Sequence, residues 1–324
     1  MPGTSTRPLY PDIEPYAVHV IERGRHDIYV EECGNPQGLP VLFLHGGPGS
    51  GCKPYHRCFF DPDLYRIILV DQRACGRSLP QGLLLDNTTE HLLNDLEHIR
   101  RRFDMEQWML FGGSWGATLA LLYAQAHPAR VSALVLRGTF LARRRDLDWY
   151  AGEGGVRQIY PDTWEHLLGG VPSESRHDPV MGLYAAVTGR DELAQRRAAR
   201  AWEHWGGQVV LADEYVHTEQ SEHVDGHAVM QAGIELHYAV NRYFIEENQI
   251  LQQCERIRHI PAVIIHGRRD LVCPLESAWT LHQHLPESEL RILPHAGHIA
   301  STDDMIDALV SVSDEMAVRL GDIS

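Results

Sequence analysis

Short apolar runs that end in turn residues and give way to helical patterns constrain this chain more than any other feature. Val41-Leu42-Phe43-Leu44 leads into His45-Gly46-Gly47-Pro48-Gly49. Arg66-Ile67-Ile68-Leu69-Val70 leads into Asp71-Gln72-Arg73-Ala74-Cys75-Gly76-Arg77-Ser78. Gln107-Trp108-Met109-Leu110-Phe111 leads into Gly112-Gly113-Ser114-Trp115-Gly116, and Val131 to Leu136, Ala262 to Ile265 and Leu290 to Leu293 complete the series. Continuous apolar strands alternating with helices are buried on both faces, so they predict a mostly parallel α/β sheet with helices on both sides. In such sheets chemistry collects at the carboxyl ends of the strands, where the glycine-rich turns lie here.

The alternation stops between about Phe140 and Ile257. That stretch is rich in Trp, His, Arg and Glu and has helical periodicity, with Leu193 to Trp205 and Ala228 to Phe244 reading as amphipathic helices. Ile260-Pro261-Ala262-Val263-Ile264-Ile265 then resumes the strand pattern. The predicted organisation is a core of residues 1–139 and 258–324 with a helical cap, 140–257, inserted into it. A chain of 324 residues has room for this and can bury a core without disulfide or metal.

Lys plus Arg total 29 against 44 Asp plus Glu, a formal charge of −15 that disfavours phosphate backbones, so no nucleic-acid partner is expected. The six cysteines form no C-x-x-C pair and are expected as reduced thiols. Met1 to Pro8 has no apolar core of the signal-peptide kind. The uncharged stretch from Gln107 to Ala129 carries Gly112, Gly113, Ser114 and Pro128, which suits a strand, turn and helix better than a membrane span. A cytoplasmic protein without a membrane partner is expected.

Gly112-Gly113-Ser114-Trp115-Gly116 matches G-x-S-x-G between an apolar strand and the helix-like run Ala117 to Gln125. A nucleophile on so sharp a turn occupies a strained backbone, and small neighbours permit the close chain approach. The helix that begins there aims its positive end at developing negative charge. A serine needs a base, and the base an orienting carboxylate, in the chain order Ser, acid, His on this kind of sheet. Asp270 follows the strand Ala262 to Ile265, and His298 follows Leu290 to Leu293, with His295 as its nearest rival. Ser114, Asp270 and His298 are therefore the predicted triad. Gly47 in the first glycine turn and Trp115 after the serine are the candidate backbone donors to an oxyanion.

These residues resemble the proline iminopeptidases (prolyl aminopeptidases), a family of α/β-hydrolases. The resemblance rests on His45-Gly46-Gly47-Pro48-Gly49, Asp71-Gln72-Arg73-x-x-Gly76-x-Ser78, Gly112 to Leu119 and Gly267-Arg268-x-Asp270. It continues through Leu136-Arg137-Gly138, Asp148-Trp149-Tyr150, Asp270-x-x-Cys273-Pro274, Ser277-Ala278-Trp279 and Gly297-His298, thinning in the insertion. It implies an α/β-hydrolase core with a helical cap, and cofactor-free removal of an N-terminal residue, typically proline, from short peptides through a seryl acyl-enzyme. It also implies cap carboxylates that hold the free amino group, since a buried amine needs anionic partners. Glu235 in Ile234-Glu235-Leu236-His237-Tyr238 matches one of them. At the other the chain departs: the family reads W-S-x-W-E, but Trp202-Glu203-His204-Trp205-Gly206 has glycine at the acidic position. Glu203, three residues earlier on nearly the same helical face, is the substitute candidate. Phe140 and Tyr150 match positions for an apolar proline slot, Arg137 completes the substrate-binding set, and Cys273 lies three residues after the acid.

Two other functions fit parts of the same sequence. An esterase or amidase whose cap has lost amine recognition fits Gly206. A non-catalytic binding protein of the same fold would require a lost triad member, and none is lost. His282-x-His284, His295-x-x-His298 and Glu222-His223-x-x-x-His227 lack recognised zinc spacings, so no metal is expected. The basic runs Arg143-Arg144-Arg145 and Arg196-Arg197-x-x-Arg200 are expected as solvated faces of the cap.

Overall fold

A computed structural model describes residues 6–216 and 225–321. The described residues form one eight-stranded sheet, built from β1 (Ala17–Arg23), β2 (His26–Gly34), β3 (Leu39–Leu44), β4 (Tyr65–Val70), β5 (Trp108–Gly113), β6 (Val131–Arg137), β7 (Ala262–Gly267) and β8 (Glu289–Leu293). Their spatial order is β1-β2-β4-β3-β5-β6-β7-β8. The pairings β1·β2 and β2·β4 are antiparallel, and every pairing from β4 onward is parallel. This is the expected sheet, and all six predicted strands are present. The N-terminal hairpin β1–β2 was not among the expected strands.

Side chains alternate between two covered faces. Leu42, Leu44, Ile68, Leu110 and Leu136 belong to one apolar cluster, while Val41, Phe43, Ile67, Met109 and Val135 belong to another. A strand whose two alternating sets are both buried reads as a continuous apolar run, which is why β3 to β7 were legible. The first cluster is closed by α1 (Thr89–Arg102) and α2 (Trp115–Ala126), and the second by the C-terminal helix Asp303–Gly321. Thr88 caps α1 by accepting from the His91 N–H, and Arg100, Arg101 and Arg102 occupy its last turn, where a cation suits the helix dipole.

Between β6 and β7 lie α3 (Arg144–Ala151), α4 (Pro161–Gly169), α5 (Pro179–Val187), α6 (Glu192–Leu211), α7 (Gly226–Val240) and the short α8 (Gln249–Gln252). Trp164, Leu167, Leu183, Trp202, Trp205 and Leu236 make a separate apolar cluster among them. Two expected helices appear here with altered bounds. α6 extends to Leu211. α7 stops at Val240 rather than at Phe244, because Arg242, Tyr243 and Phe244 all take positive φ (50°, 54°, 54°) and turn the chain back toward the sheet. Ile250, Cys254 and Ile257, just before β7, pack into the cluster of the sheet rather than that of the preceding helices. After β7 come α9 (Leu275–His284), β8 and the C-terminal helix α10 (Asp303–Gly321). Among the described residues no helix is long and apolar enough to cross a membrane.

Candidate active site

Ser114 sits on the turn between β5 and α2 with φ 56° and ψ −123°, a conformation that L residues rarely hold. It is held from both sides: its N–H donates to the Arg137 carbonyl on β6 (2.9 Å), and its own carbonyl accepts from the Ala117 N–H (2.9 Å). The flanking glycines are steric requirements. A Cβ on Gly116 would stand 2.0 Å from the Leu44 carbonyl oxygen, and one on Gly112 would stand 2.3 Å from the Gly116 oxygen. The G-x-S-x-G spacing therefore lets α2 start directly against β3 and β5.

His298 and Asp270 meet as expected. The Nδ1 of His298 lies 2.7 Å from Oδ2 of the buried Asp270, whose Oδ1 accepts from the N–H groups of Val272 (2.9 Å) and Cys273 (2.8 Å). Burial alone would raise the Asp270 carboxyl. The neighbouring His298, its hydrogen bond and the other donors outweigh that and hold the group below its ordinary value. Asp270 is thus an ionised acceptor, and the neutral imidazole carries its proton on Nδ1, leaving Nε2 as the basic nitrogen. Gly138, with φ 55°, makes the room: a Cβ there would lie 3.3 Å from His298 Cε1 and 3.4 Å from Asp270 Oδ2. His295, the rival, is exposed and within reach of Arg269 instead.

Ser114 and His298 line one cavity of about 1460 Å³ that lies between the carboxyl ends of β3, β5 and β6 and the helices inserted between β6 and β7. Gly47 lines it too, and its loop passes over the serine, since a Cβ on Gly46 would stand 3.5 Å from Ser114 Cβ. Trp115 enters differently from the other candidates. Its side chain is wholly buried away from the cavity, against Tyr238 and Tyr243, so only its backbone is available as a donor. As the first residue of α2 it has an N–H with no acceptor inside the helix.

The remaining candidates converge on the same cavity. Glu235 on α7 accepts from the Trp202 indole N–H (2.7 Å) and the Gln231 amide (3.0 Å). Burial raises its carboxyl above the usual range, and the two hydrogen bonds only partly oppose this, while the charge of Glu203 adds to it. Glu203 lies at the exposed side of the cavity, and partial burial together with Asp225 raises its carboxyl as well. Phe140 packs edge-on to Tyr243 (4.9 Å), and Tyr150 packs edge-on to Trp202 (5.6 Å). The Tyr150 hydroxyl stands 3.3 Å from where a Cβ on Gly206 would be. Arg137 also lines the cavity, yet its guanidinium lies against Gly113 and donates to the His298 carbonyl, so it braces the histidine loop. Burial lowers the Arg137 group from its ordinary value, with nearby Asp270 opposing that. The Cys273 thiol is buried beside Ser114, and burial with the adjacent Asp270 pushes it well above the ordinary thiol value. A thiol held protonated is a poor nucleophile.

Two residues of this site escaped the sequence reading. His266 on β7 donates from Nε2 to the Cys273 carbonyl (2.7 Å), while its Nδ1 accepts from the Thr139 N–H (3.1 Å), which ties the acid loop to β6. Gln72 joins the glycine loop to Trp115. Gln72 lies in the Asp71-Gln72-Arg73 motif and His266 between the strand Ala262 to Ile265 and the Gly267-Arg268-x-Asp270 motif, so position was readable but contact was not. Of the metal-like patterns, Glu222 and His223 lie outside the described residues.

The model of the α/β hydrolase fold family matches residues 40–304. A probable proline iminopeptidase of Leptolyngbya boryana is 44% identical over 317 residues, covering 97% of this chain and 98% of that protein. The proline iminopeptidase of Xanthomonas citri is 46% identical over 317 residues, covering 96% of this chain and all (100%) of that one. The chain belongs to the proline iminopeptidase family. Among solved structures, an α/β hydrolase enzyme from a Medee basin deep-sea metagenome library superposes with a TM-score of 0.60 at 16% identity, covering 92% of this chain and 97% of that one. That distance speaks for the α/β hydrolase fold, and the proline iminopeptidase relatives speak for the family within it.

Proposed function

We propose that this chain is a serine exopeptidase that releases N-terminal proline from short peptides, with Ser114, His298 and Asp270 as its triad. The observation that carries the reading is a carboxylate, Glu235, facing the same cavity as Ser114 and His298. An esterase acting on neutral acyl groups has no use for a half-buried acid there, whereas a free amino terminus needs one.

In this mechanism His298 Nε2 takes the Ser114 hydroxyl proton as Oγ attacks the carbonyl of the terminal residue, and Asp270 stabilises the imidazolium. The N–H groups of Gly47 and Trp115 receive the oxyanion. His298 then gives its proton to the leaving amine, which departs and leaves a prolyl ester on Ser114. Water repeats the sequence and frees proline. No step calls for a cofactor. Glu235 holds the amino group, Glu203 assists from the open side, and Phe140 and Tyr150 offer apolar walls to the pyrrolidine ring. Residues 140–257 act as a cap that favours small peptides over folded chains. The six cysteines are free thiols, which supports a reducing compartment such as the cytoplasm.

One observation favours a second reading. Gly206 stands where the family pattern has an acid, and the neighbouring Tyr150 hydroxyl offers no charge. A cap with weakened amine recognition would leave an esterase or amidase. Hydrolysis rates on proline arylamide, N-acetylproline arylamide and a short-chain aryl ester, with the Ser114→Ala protein beside the wild type, separate the two. Arylamide turnover that disappears on acetylation supports the exopeptidase. Ester turnover without arylamide turnover overturns it.

A further inference from the structure

The structure points beyond the triad to the turn Asp71-Gln72-Arg73 that follows β4. Gln72 is buried, as are the two residues its side chain joins, His45 and Trp115. Its Nε2 donates to the His45 carbonyl (3.0 Å), and its Oε1 accepts from the Trp115 indole N–H (2.8 Å). One amide therefore spans the glycine loop and the first residue of α2, the two segments that carry Gly47 and Trp115.

A second link runs through the backbone of the same residue. The Gln72 N–H donates to His45 Nε2 (3.0 Å). With Nε2 accepting, the neutral imidazole carries its proton on Nδ1, which lies 2.9 Å from the Gly46 carbonyl oxygen. That carbonyl belongs to the peptide group whose other end is the Gly47 N–H. In a trans planar peptide the two point in opposite directions, so fixing the Gly46 carbonyl fixes the direction of the Gly47 N–H. The Asp71 carboxylate fastens the far end of the loop, accepting from the Cys52 N–H (2.7 Å) and from the Arg77 N–H (2.8 Å).

We infer that Gln72 is a positioning residue that sets both oxyanion donors at once, Trp115 through its side-chain amide and Gly47 through His45. The inference rests on the serine-hydrolase reading of the site. Gln72 touches no substrate. Its contribution is realised when charge develops on the carbonyl oxygen, because donors preset in a dry site need no reorganisation at that moment. Misplacing such donors by about 1 Å costs roughly 100-fold in rate.

The test uses Gln72→Met, which keeps the length and removes both amide contacts. Gln72→Glu keeps the acceptor for the indole and loses the donor to His45. Trp115→Phe removes the indole donor from the other side. Steady-state rates on proline arylamide are paired with inhibition by the boronic acid analogue of proline, whose tetrahedral adduct occupies the oxyanion position, and by free proline. Gln72→Met is expected to lower kcat about 100-fold with KM within about 3-fold. Boronate affinity should fall by the same factor while free proline binds as before. Gln72→Glu should fall between wild type and Gln72→Met, and the Gln72→Met/Trp115→Phe double variant should be no worse than its poorer parent.

A merely structural role would weaken proline and boronate binding alike, and that result overturns the inference. Unchanged boronate affinity, or losses that multiply in the double variant, overturn it too. Should Gln72→Met fail to fold by circular dichroism, Gln72→Glu and Trp115→Phe carry the same comparison. Ser114→Ala separates the two levels. Turnover that survives it overturns the serine reading and the positioning role together, whereas turnover abolished by it but intact in the Gln72 variants overturns only the latter.

Discussion

Replacing Glu235 by Gln changes one charge and almost no volume, so it isolates what the carboxylate does. Glutamine still offers an oxygen to the Trp202 indole N–H, which donates to Glu235 over 2.7 Å, and the surrounding packing is kept. A carboxylate and an ammonium about 4 Å apart attract by roughly 4 kcal/mol at the effective dielectric near 20 that suits protein sites. Part of this is offset by desolvating the amine, and hydrogen bonds to charged groups retain about 1.5–3 kcal/mol net. Glu235→Gln should therefore lower kcat/KM for proline arylamide about 13- to 160-fold. An aryl ester without an amino group should be hydrolysed within about 2-fold of the wild-type rate, since mutations that spare its contacts leave its transition state untouched.

The pH profile adds a second reading of the same group. Glu235 is raised by burial in the free protein, and kcat/KM reports free-enzyme ionisations. As pH falls the carboxylate becomes neutral earlier than an ordinary glutamate. Arylamide kcat/KM should then fall on an acid limb lying above the usual glutamate range, and that limb should be missing both from the ester reaction and from Glu235→Gln. Equal losses on ester and arylamide would refute the argument, because they would mean that the substitution disturbs the triad. An arylamide rate within about 3-fold of wild type would refute it as well, because charged contacts of this kind are worth more.

Glu203, being exposed, should matter less: Glu203→Gln is expected to cost at most about 5-fold in arylamide kcat/KM, the scale of a solvated ion pair. Gly116→Ala places a Cβ 2.0 Å from the Leu44 carbonyl oxygen, a backbone atom that cannot swing away. It should destabilise by at least about 3 kcal/mol, read as a Tm fall of roughly 4 °C or more in a chain of this size, or yield no folded protein. Asp95 pairs with the buried Arg73 (2.6 Å) and with Arg23 (2.9 Å), so Asp95→Ala should cost about 3–5 kcal/mol in urea unfolding, most of it from the stranded Arg73. The hydrogen bond from Arg100, with help from Tyr123 and Arg101, holds the Glu97 carboxyl down at about 2. Its stabilisation is complete above the unfolded value and lost as pH falls through about 2, so Glu97→Gln should lose about 1–2 kcal/mol at neutral pH, with the deficit closing between about pH 4.5 and 2.

What the sequence disclosed follows from how each element is buried. β5 and β7 are buried at every position, so their apolar runs stand out without any partner being known. β2 hid because its strand carries buried acids. Glu31 is neutralised by Arg57 (2.8 Å) and Glu32 by Arg66 (2.5 Å), so two charged residues occupy positions where a pattern search expects apolar ones. β1 leaves Val18 and Val20 exposed at the sheet edge, which inverts the usual sense of its alternation. The end of α7 at Val240 was equally unreadable, because three successive residues without glycine take positive φ, which no local preference announces.

The same contrast runs through the site. The turns that carry Ser114, Asp270 and His298 were readable because their geometry is built into neighbouring residues: a Cβ has no room at Gly112 or Gly116, nor at Gly267, where it would stand 2.4 Å from the Ala296 and Gly297 carbonyl oxygens. Local steric demand writes itself into local sequence. The residues proposed above to align the donors and the substrate make their contacts across the fold instead. Gln72 reaches residues 27 and 43 positions away, and Trp202 reaches Glu235 over 33. Such contacts leave only a polar residue in a turn or a tryptophan on a helix, each with an ordinary structural explanation. The division has a physical consequence for the family. On the function proposed above, the triad rests on the sheet and amine recognition on α6 and α7, so the acid is free to move between positions 203 and 206 without disturbing the serine. A variant that restores an acid at 206 in the Glu203→Gln background would measure that freedom directly, and it should recover the arylamide rate without altering ester turnover.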